Sequence, residues 1–463
     1  MTVLIIVLSL AFLMFVAYRG YSVILFAPMA ALGAVLCTSP SLVLPVFSGV
    51  FMAKMVDFIR LYFPVFLLGA VFGTVIELSG FSKSIVASVM KALGPQRSIL
   101  SIVLVSAILT YGGVSLFVVI FAVYPFAAEM FKTAGIPKRL IPATIVLGGG
   151  TFNMDALPGT PQIQNIIPTT FFKTNAWAAP WLGLIGALCI LAGGMLYLEY
   201  CRKKAAARGE GYGNILVNEP APFEYEKMPN PWVAVLPLVV VFVLNRVFTS
   251  LIPHFYGATN SFQLEGMKAP VVTQVPGVVG IWAVEAALVI GILSVVVLAY
   301  KPVARTFLDG SKAAVGGALL AGLNTATEYG YGSVIACLPG FYVVAAGLRH
   351  IPNTLVNEAI TTTTLAGITG SASGGMGIAL ATMSDTFIKA AQAAGIPMEV
   401  LHRVAAMASG GMDSLPHNGA VITFLAVCGL THRTSYKDIF AITCIKTLTV
   451  FVVIAVYYTF HIV

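Results

Sequence analysis

The sequence predicts an all-α polytopic membrane protein made of two inverted-topology repeats, with about ten transmembrane spans, two re-entrant hairpins and two broken helices. Three observations carry this. Apolar residues make up 58% of the 463 positions and charged residues only 10%, with a mean hydropathy of +0.93, whereas a soluble globule is about a quarter charged. Apolar runs of roughly 20 residues recur without the period-2 alternation of an outer-membrane barrel. Finally, Gly148-Gly-Gly-Thr-Phe-Asn-Met-Asp-Ala-Leu-Pro-Gly-Thr-Pro-Gln162 returns as Ser409-Gly-Gly-Met-Asp-Ser-Leu-Pro-His-Asn-Gly419, both copies lying inside long apolar segments.

Taken in order, spans are expected at 2–18, 21–40 and 62–80, followed by a basic loop with Lys83, Lys91 and Arg97. The first run has no basic residue before it and no small-residue cleavage site after it, so it reads as a retained span. The stretch 98–131 is too long for one span, carries Thr110-Tyr-Gly-Gly-Val-Ser115 at its middle, and has basic clusters at both ends. With both clusters placed on the cytoplasmic side, it must turn back as a hairpin; two ordinary spans with a tight turn are the alternative. Residues 140–172 hold the first break, and 176–200 return to Arg202-Lys-Lys204. The polar, proline-containing stretch 201–230 reads as a cytoplasmic linker between a first repeat at 1–200 and a second at 231–463. Within the second repeat come spans at 232–252 and 279–300, the latter ending in a basic loop at Lys301 and Arg305, and a crossing at 313–346. A hairpin follows at 355–396 around Gly370-Ser-Ala-Ser-Gly-Gly-Met-Gly377, then the second break at 398–430 and a last span at 439–460.

The two halves align. Gly73 matches Gly332, Gly112 matches Gly374, and Asp155 matches Asp413, at offsets of 259, 262 and 258 residues. Three matches in one order at a near-constant offset indicate an internal duplication. One half begins its spans from outside and the other from the cytoplasm, so the repeats are expected to be inverted, the basis of alternating access.

A helix interrupted in hydrocarbon leaves unpaired backbone groups costing several kcal/mol each, so such breaks persist only where protein or a water-filled cavity satisfies them. Paired breaks in corresponding places point to a transporter's substrate site. An ionised carboxylate at mid-bilayer costs about 2.5–3.5 kcal/mol, so Asp155, Asp413, Glu328 and Glu77 each need a reason to be there. Asp155 and Asp413 are read as caps of the exposed half-helices, as orienting groups or as cation ligands. Glu328 lies in Asn324-Thr-Ala-Thr-Glu-Tyr-Gly-Tyr-Gly332, a polar island with no Lys or Arg nearby in sequence. Burial without a partner favours the neutral form of a carboxyl, the property a proton carrier needs near neutral pH. Glu328 is therefore the candidate proton-coupling group, with a glutamate hydrogen-bonded to backbone as the alternative; Glu77, at the end of its span, reads as interfacial.

The hairpin tips Gly112, Gly113 and Ser115, and Ser371, Ser373, Gly374 and Gly375, combine glycines with hydroxyls. Half-helix N-termini carry partial positive charge, so these tips suit a carboxylate, although glycine serves close helix packing equally well. Asn153, Thr160, Gln162, His417 and Asn418 complete the candidate substrate site with neutral donors and acceptors. The net charge of +8 sits in short loops, where it sets orientation; no nucleic-acid partner is expected. The six cysteines are scattered without CxxC spacing, so neither metal nor redox chemistry is indicated. No GxSxG elbow, HExxH or phosphate loop is present, which argues against an enzyme and for transport driven by an ion gradient. No cofactor is expected.

The two breaks, with Gly370-Ser-Ala-Ser-Gly-Gly before the second, resemble the gluconate:proton symporter (gluconate permease) family over nearly the full chain. The resemblance implies a place in the wider ion-transporter superfamily, with paired hairpins in a mobile transport domain, elevator-type motion, a homodimerising scaffold and a bacterial inner-membrane location. It also implies a small hydroxylated or amino monocarboxylate as substrate, usually carried with protons. Phe152, Leu157 and Pro161 beside the first break incline the comparison toward the 3-hydroxybutyrate branch. The expectation is proton-coupled uptake of a small hydroxy-monocarboxylate. The rival is a sodium-coupled symporter or cation/proton antiporter using Asp155 and Asp413 as ligands.

Overall fold

The computed structural model describes residues 2–19, 21–94, 97–114, 116–214, 217–220, 228–348, 351–416 and 418–463. Ser115 and His417, two of the candidate site residues, lie outside the described residues.

Among the described residues the regular structure is helical, apart from one small β-hairpin. It opens with α1 (Thr2–Tyr18) and α2 (Val23–Thr38) and continues through a helical run, Pro40–Leu78, that contains α3 (Val43–Val46) and α4 (Ala53–Leu78). Next come α5 (Phe81–Leu93) and the antiparallel pair α6 (Ser98–Tyr111) and α7 (Leu116–Thr133). The first break follows, as α8 (Ile141–Gly149), the one-turn α9 (Phe152–Asp155) and α10 (Ile163–Phe172), and α11 (Pro180–Ala207) closes the first half. The second half runs through α12 (Pro231–Tyr256), the hairpin β1 (Thr259–Phe262) and β2 (Val271–Gln274), α13 (Val279–Leu298), α14 (Tyr300–Ala336) and α15 (Pro339–Leu348). It ends with α16 (Thr354–Thr369), α17 (Ala372–Ala393), the second break between α18 (Met398–Ser409) and α19 (Gly419–Val427), and α20 (Lys437–Phe460). Helical runs over Pro40–Leu78, Pro180–Ala207, Pro231–Tyr256, Val279–Leu298 and His432–Phe460 are long and apolar enough to cross a bilayer.

Two stretches read from the sequence as loops are helical. The basic segment after Lys301 forms the first turns of α14, exposed and carrying an Asp309–Lys312 ion pair at 3.7 Å. The basic segment at 83–91 forms α5, whose buried face carries Phe81, Ile85, Val86 and Met90. In both, charge marks an exposed helical face and not a turn: the one proline, Pro302, sits in the first turn of α14, where a helix accepts it, and the apolar positions recur at helical spacing.

The duplication is visible in the helices themselves. Helices starting at Phe81, Ser98, Leu116, Ile141, Ile163 and Pro180 have counterparts starting at Pro339, Thr354, Ala372, Met398, Gly419 and Lys437. Their packing partners exchange in step. The α1–α2 contact corresponds to α12–α13, α2–α14 to α13–α4, α1–α15 to α12–α5, and α6–α8 to α16–α18, while α4 packs on its own counterpart α14 and α11 on α20. Both breaks therefore face the α11–α20 pair near the centre of this arrangement.

Part of the linker is strapped to both halves. Arg139 pairs with Glu210 at 2.7 Å and Asp438 at 2.6 Å, and its guanidinium holds the Glu210 carboxyl below the usual range. Lys138 pairs with Glu219 at 2.7 Å, and Asn218 Nδ2 donates to the Ala426 carbonyl at 2.8 Å.

The turn inside the first break requires glycine. Gly159 has φ +80°, and a Cβ there would lie 2.6 Å from the Trp177 ring. A left-handed backbone and a clash add, at about 2–4 kcal/mol together. Gly159→Ala is expected to lower the thermal unfolding temperature of the purified protein by several degrees, while Gly211→Ala, with open space around it, leaves it unchanged. Equal unfolding temperatures for the two variants would contradict this assignment.

Candidate functional site

The glycines stop both helices at matching depths in the repeat. α8 ends at Gly149 and α18 at Ser409, and each leaves terminal carbonyls with no partner in its own helix. Two neighbouring residues of α20 answer them. Lys446 Nζ donates to the Gly150 carbonyl at 2.9 Å, and Thr447 Oγ1 donates to the Gly411 carbonyl at 2.7 Å.

Lys446 also joins the two break carboxylates. Its ammonium lies 3.0 Å from Asp155 Oδ2, an ion-pair contact off the hydrogen-bond axis, and 3.8 Å from Asp413 Oδ1. Lys446 and Asp155 are fully buried and Asp413 nearly so. Gly410 makes room for this contact, since a Cβ there would run into the Lys446 Cε and Nζ and into Asp155 Oδ2. Ser414 Oγ donates to Asp413 Oδ1 at 2.9 Å, whereas Asp155 Oδ1 has no hydrogen-bond partner among the described residues.

A second buried cation braces the first break from the other half. Arg403 of α18 donates through Nη1 to the Asp155 carbonyl and to Asn165 Oδ1, both at 3.1 Å, and through Nη2 to the Ala178 carbonyl at 2.7 Å. Its neighbour His402 bonds Thr174 Oγ1 at 2.6 Å and Asn165 Oδ1 at 3.2 Å. Asp155 and Asp413 against Lys446 and Arg403 make two negative and two positive charges, which keeps this buried group formally neutral.

Each break is tied to the hairpin of its own half by the residue that starts its second half-helix. Gln162, before α10, donates to the Thr110 carbonyl at 2.7 Å. Asn418, before α19, donates to the Gly370 carbonyl at 2.6 Å and caps α19 by accepting from the amides of Ala420 and Val421. Asn153 Nδ2 reaches the Ala107 carbonyl at 3.3 Å, and Thr160 is buried, its carbonyl accepting from Asn165.

The two tips differ in chemistry. At the first, Gly112 faces Leu238, and Gly113, with φ +102°, faces Pro161, Leu288 and Phe72, so apolar side chains surround it. At the second, the Glu328 carboxylate of α14 lies directly against Gly374, where a Cβ would collide with Oε2. Ser371 caps α17 there by accepting from the Gly374 amide at 3.1 Å, and Thr325 and Ser373 hydroxyls are 3.1 Å apart. Gly375 faces the Ala366 backbone on the other arm, a packing contact. Thus the breaks come together at Lys446, while tip glycines of the first hairpin are enclosed by apolar side chains.

No family model matches the chain. It is 58% identical, over 466 residues and 99% of both chains, to YxjC of Bacillus subtilis, described as an uncharacterized transporter. The chain belongs to the YxjC transporter family. A crystal structure of the YdaH transporter of Alcanivorax borkumensis, described as having an unusual topology, matches with a TM-score of 0.51 over 89% of this chain and 88% of that one. At 16% identity that likeness concerns the fold alone. This protein is thus an all-α polytopic membrane transporter and not an enzyme.

In this YxjC-family transporter, sequence reasoning missed Lys446, Arg403, His402 and Glu358. Lys446 and Arg403 escape a reading in which basic residues mark orientation alone. Lys446 nevertheless stands alone in the apolar run 439–460, the same signal that drew attention to the acids. Glu358, in α16, is fully buried with neither carboxylate oxygen partnered among the described residues; no role is assigned to it. Removing one partner from a buried charge network costs about 3–5 kcal/mol. Arg403→Gln is therefore expected to lower the unfolding temperature sharply and to reduce uptake with it. Wild-type stability in that variant would show that Arg403 does not brace the break.

Proposed function

We propose that this transporter carries a small hydroxy-monocarboxylate, gluconate-like or resembling 3-hydroxybutyrate, into the cell together with protons. The observation that carries the reading is the position of Glu328: a buried carboxylate, with Oε2 unpartnered among the described residues, resting at the N-terminus of the 22-residue helix α17. A half-helix N-terminus is where a substrate carboxylate is best held. Ionised Glu328 occupies that place and repels a second anion. Protonated Glu328 gives up its charge, and the amides of α17 with Ser371 become available to the substrate. Anion and proton are then taken up together, because two negative charges at one helix end are not tolerated in a low-dielectric site. The adjacent Ser373 and Thr325 hydroxyls suit a hydroxylated carbon next to the carboxylate. The motif likeness to the gluconate:proton symporters supports the same substrate class.

On this reading Asn153, Asp155, Thr160, Gln162, Asp413 and Asn418 shape and support the site, with Gly112 and Gly113 in a closed tip. Alternating exposure then comes from inverted repeats exchanging their conformations in an elevator-type motion, in a homodimer of the bacterial inner membrane. The sodium-coupled alternative needs Asp155 and Asp413 free to bind Na⁺, and the Lys446 ammonium between them favours proton coupling instead.

The test is Glu328→Gln in membrane vesicles. The variant is expected to keep counterflow exchange of a labelled hydroxy acid but to lose accumulation driven by a pH gradient. Undiminished pH-driven accumulation would remove Glu328 from the mechanism. Wild-type uptake that follows a sodium gradient and ignores pH would overturn proton coupling itself.

A further inference from the structure

Lys446 is surrounded by oxygen groups of the kind that also bind monovalent cations: the Gly150 carbonyl and the carboxylates of Asp155 and Asp413. The C-terminal carbonyl ends of two half-helices converge on α20, through Gly150 and Gly411. Two buried carboxylates, Asp155 and Asp413, face the same point from 3.0 and 3.8 Å. Half-helix C-termini and unwound carbonyls are the groups with which broken-helix transporters coordinate a coupling cation, and the negative end of a helix dipole favours any positive charge placed there. Asp155 Oδ1 retains unused acceptor capacity although the residue is fully buried.

The position is occupied by a side chain from outside both breaks. By the correspondence of Pro180 with Lys437, the counterpart of Lys446 in α11 is Cys189. The lysine therefore places one ammonium where the repeat alone would leave an uncharged pair of positions and two buried acids facing Arg403 as their single cation. Gly410 is the complementary feature: any side chain at that position would fill the space taken by Lys446 Cε and Nζ.

We propose that Lys446 is a tethered cation, holding by covalent attachment a site that would otherwise bind Na⁺, and that shortening its side chain converts the protein into one that binds Na⁺ at Asp155 and Asp413. An ammonium and a sodium ion carry the same charge, and both are satisfied by carboxylate and carbonyl oxygens. The tether removes the entropic cost of capturing a free ion and makes the breaks indifferent to external sodium. Deleting it leaves two buried carboxylates against one remaining cation, Arg403, so the cavity left by the lost methylenes and ammonium has a net negative charge. A small cation is the species that neutralises it. The inference rests on the geometry of the breaks and not on the substrate or on Glu328.

The experiment compares purified full-length wild type and Lys446→Ala, without substrate, by thermal unfolding in about 100 mM NaCl and in N-methylglucamine chloride of equal ionic strength. Wild type is expected to unfold at one temperature in both salts. Lys446→Ala is expected to unfold lower in N-methylglucamine and to regain about 4 °C or more in sodium, the shift that binding to the native state alone produces. Identical unfolding of the variant in both salts would overturn the proposal. The double variant Lys446→Ala with Asp155→Asn keeps the cavity and removes one charge, and is expected to lose the sodium response. A single variant recovered folded only in sodium supports the proposal. Failure of the single variant to fold in either salt, while the double variant folds in both, overturns it, as does an undiminished sodium response in the double variant. Because the readout is ion-dependent stability, an error about the transported acid leaves these outcomes unchanged.

Discussion

The contact on which the rest of the structure depends is the one between Lys446 and the two interrupted helices. Breaking a helix within an apolar segment exposes carbonyls at one half-helix end and amides at the other, and hydrocarbon satisfies neither. At the carbonyl ends, α20 supplies an ammonium and a hydroxyl to Gly150 and Gly411 from adjacent residues. At the second half-helices, Asn418 caps α19, and Gln162 and Asn418 also tie the breaks to the turns of the two hairpins. The same lysine neutralises carboxylates from both halves, so the arrangement of one break is not independent of the other. Arg403 adds a second crossing, from α18 to the backbone around Asp155. A repeat protein whose halves are joined at their weakest points by shared charge gains a reason to move those points together.

Much of the architecture was legible in the sequence because bilayer physics is strict. The composition, the lengths of apolar runs, the glycine turns near 112 and 370 and the two Asp-x-Leu-Pro breaks all carry one-dimensional signals. The breaks stand where Gly148 to Gly150 and Gly410 to Gly411 predicted them. Other features were hidden for identifiable reasons. Charged residues after Lys301 and around Lys83 looked like loops, yet a helix at a membrane surface tolerates charge on an exposed face as readily as a loop does. Lys446 and Arg403 stay hidden because a single basic residue among apolar ones does not reveal what neutralises it. Their partners lie hundreds of positions away, and only packing reveals them. The closed apolar surroundings of Gly112 and Gly113 also depend on Leu238 and Leu288 of other helices, which local sequence cannot report.

The departure from symmetry is as informative as the symmetry. Equivalent hairpins end in different chemistry, one enclosed by Leu238, Leu288, Phe72 and Pro161 and the other set against a buried glutamate. Equivalent helices α11 and α20 carry Cys189 and Lys446 at corresponding positions. Duplication supplies a scaffold with two similar arrangements, and the unmatched residues then differentiate them. In the functional reading offered above, one tip handles charge and the other closes, while the central lysine makes the scaffold electrically self-sufficient.

The claim at the centre of this account is that both helices are interrupted and that Lys446 lies between the carboxylates they expose. A high-resolution electron cryo-microscopy map of the purified protein in lipid tests it directly. The account predicts helical density that ends near Gly150 and Gly410, with the Lys446 side chain reaching Asp155 and the Gly150 carbonyl and approaching Asp413. Uninterrupted helices through Asp155 and Asp413, or a Lys446 side chain directed away from both carboxylates, would contradict it.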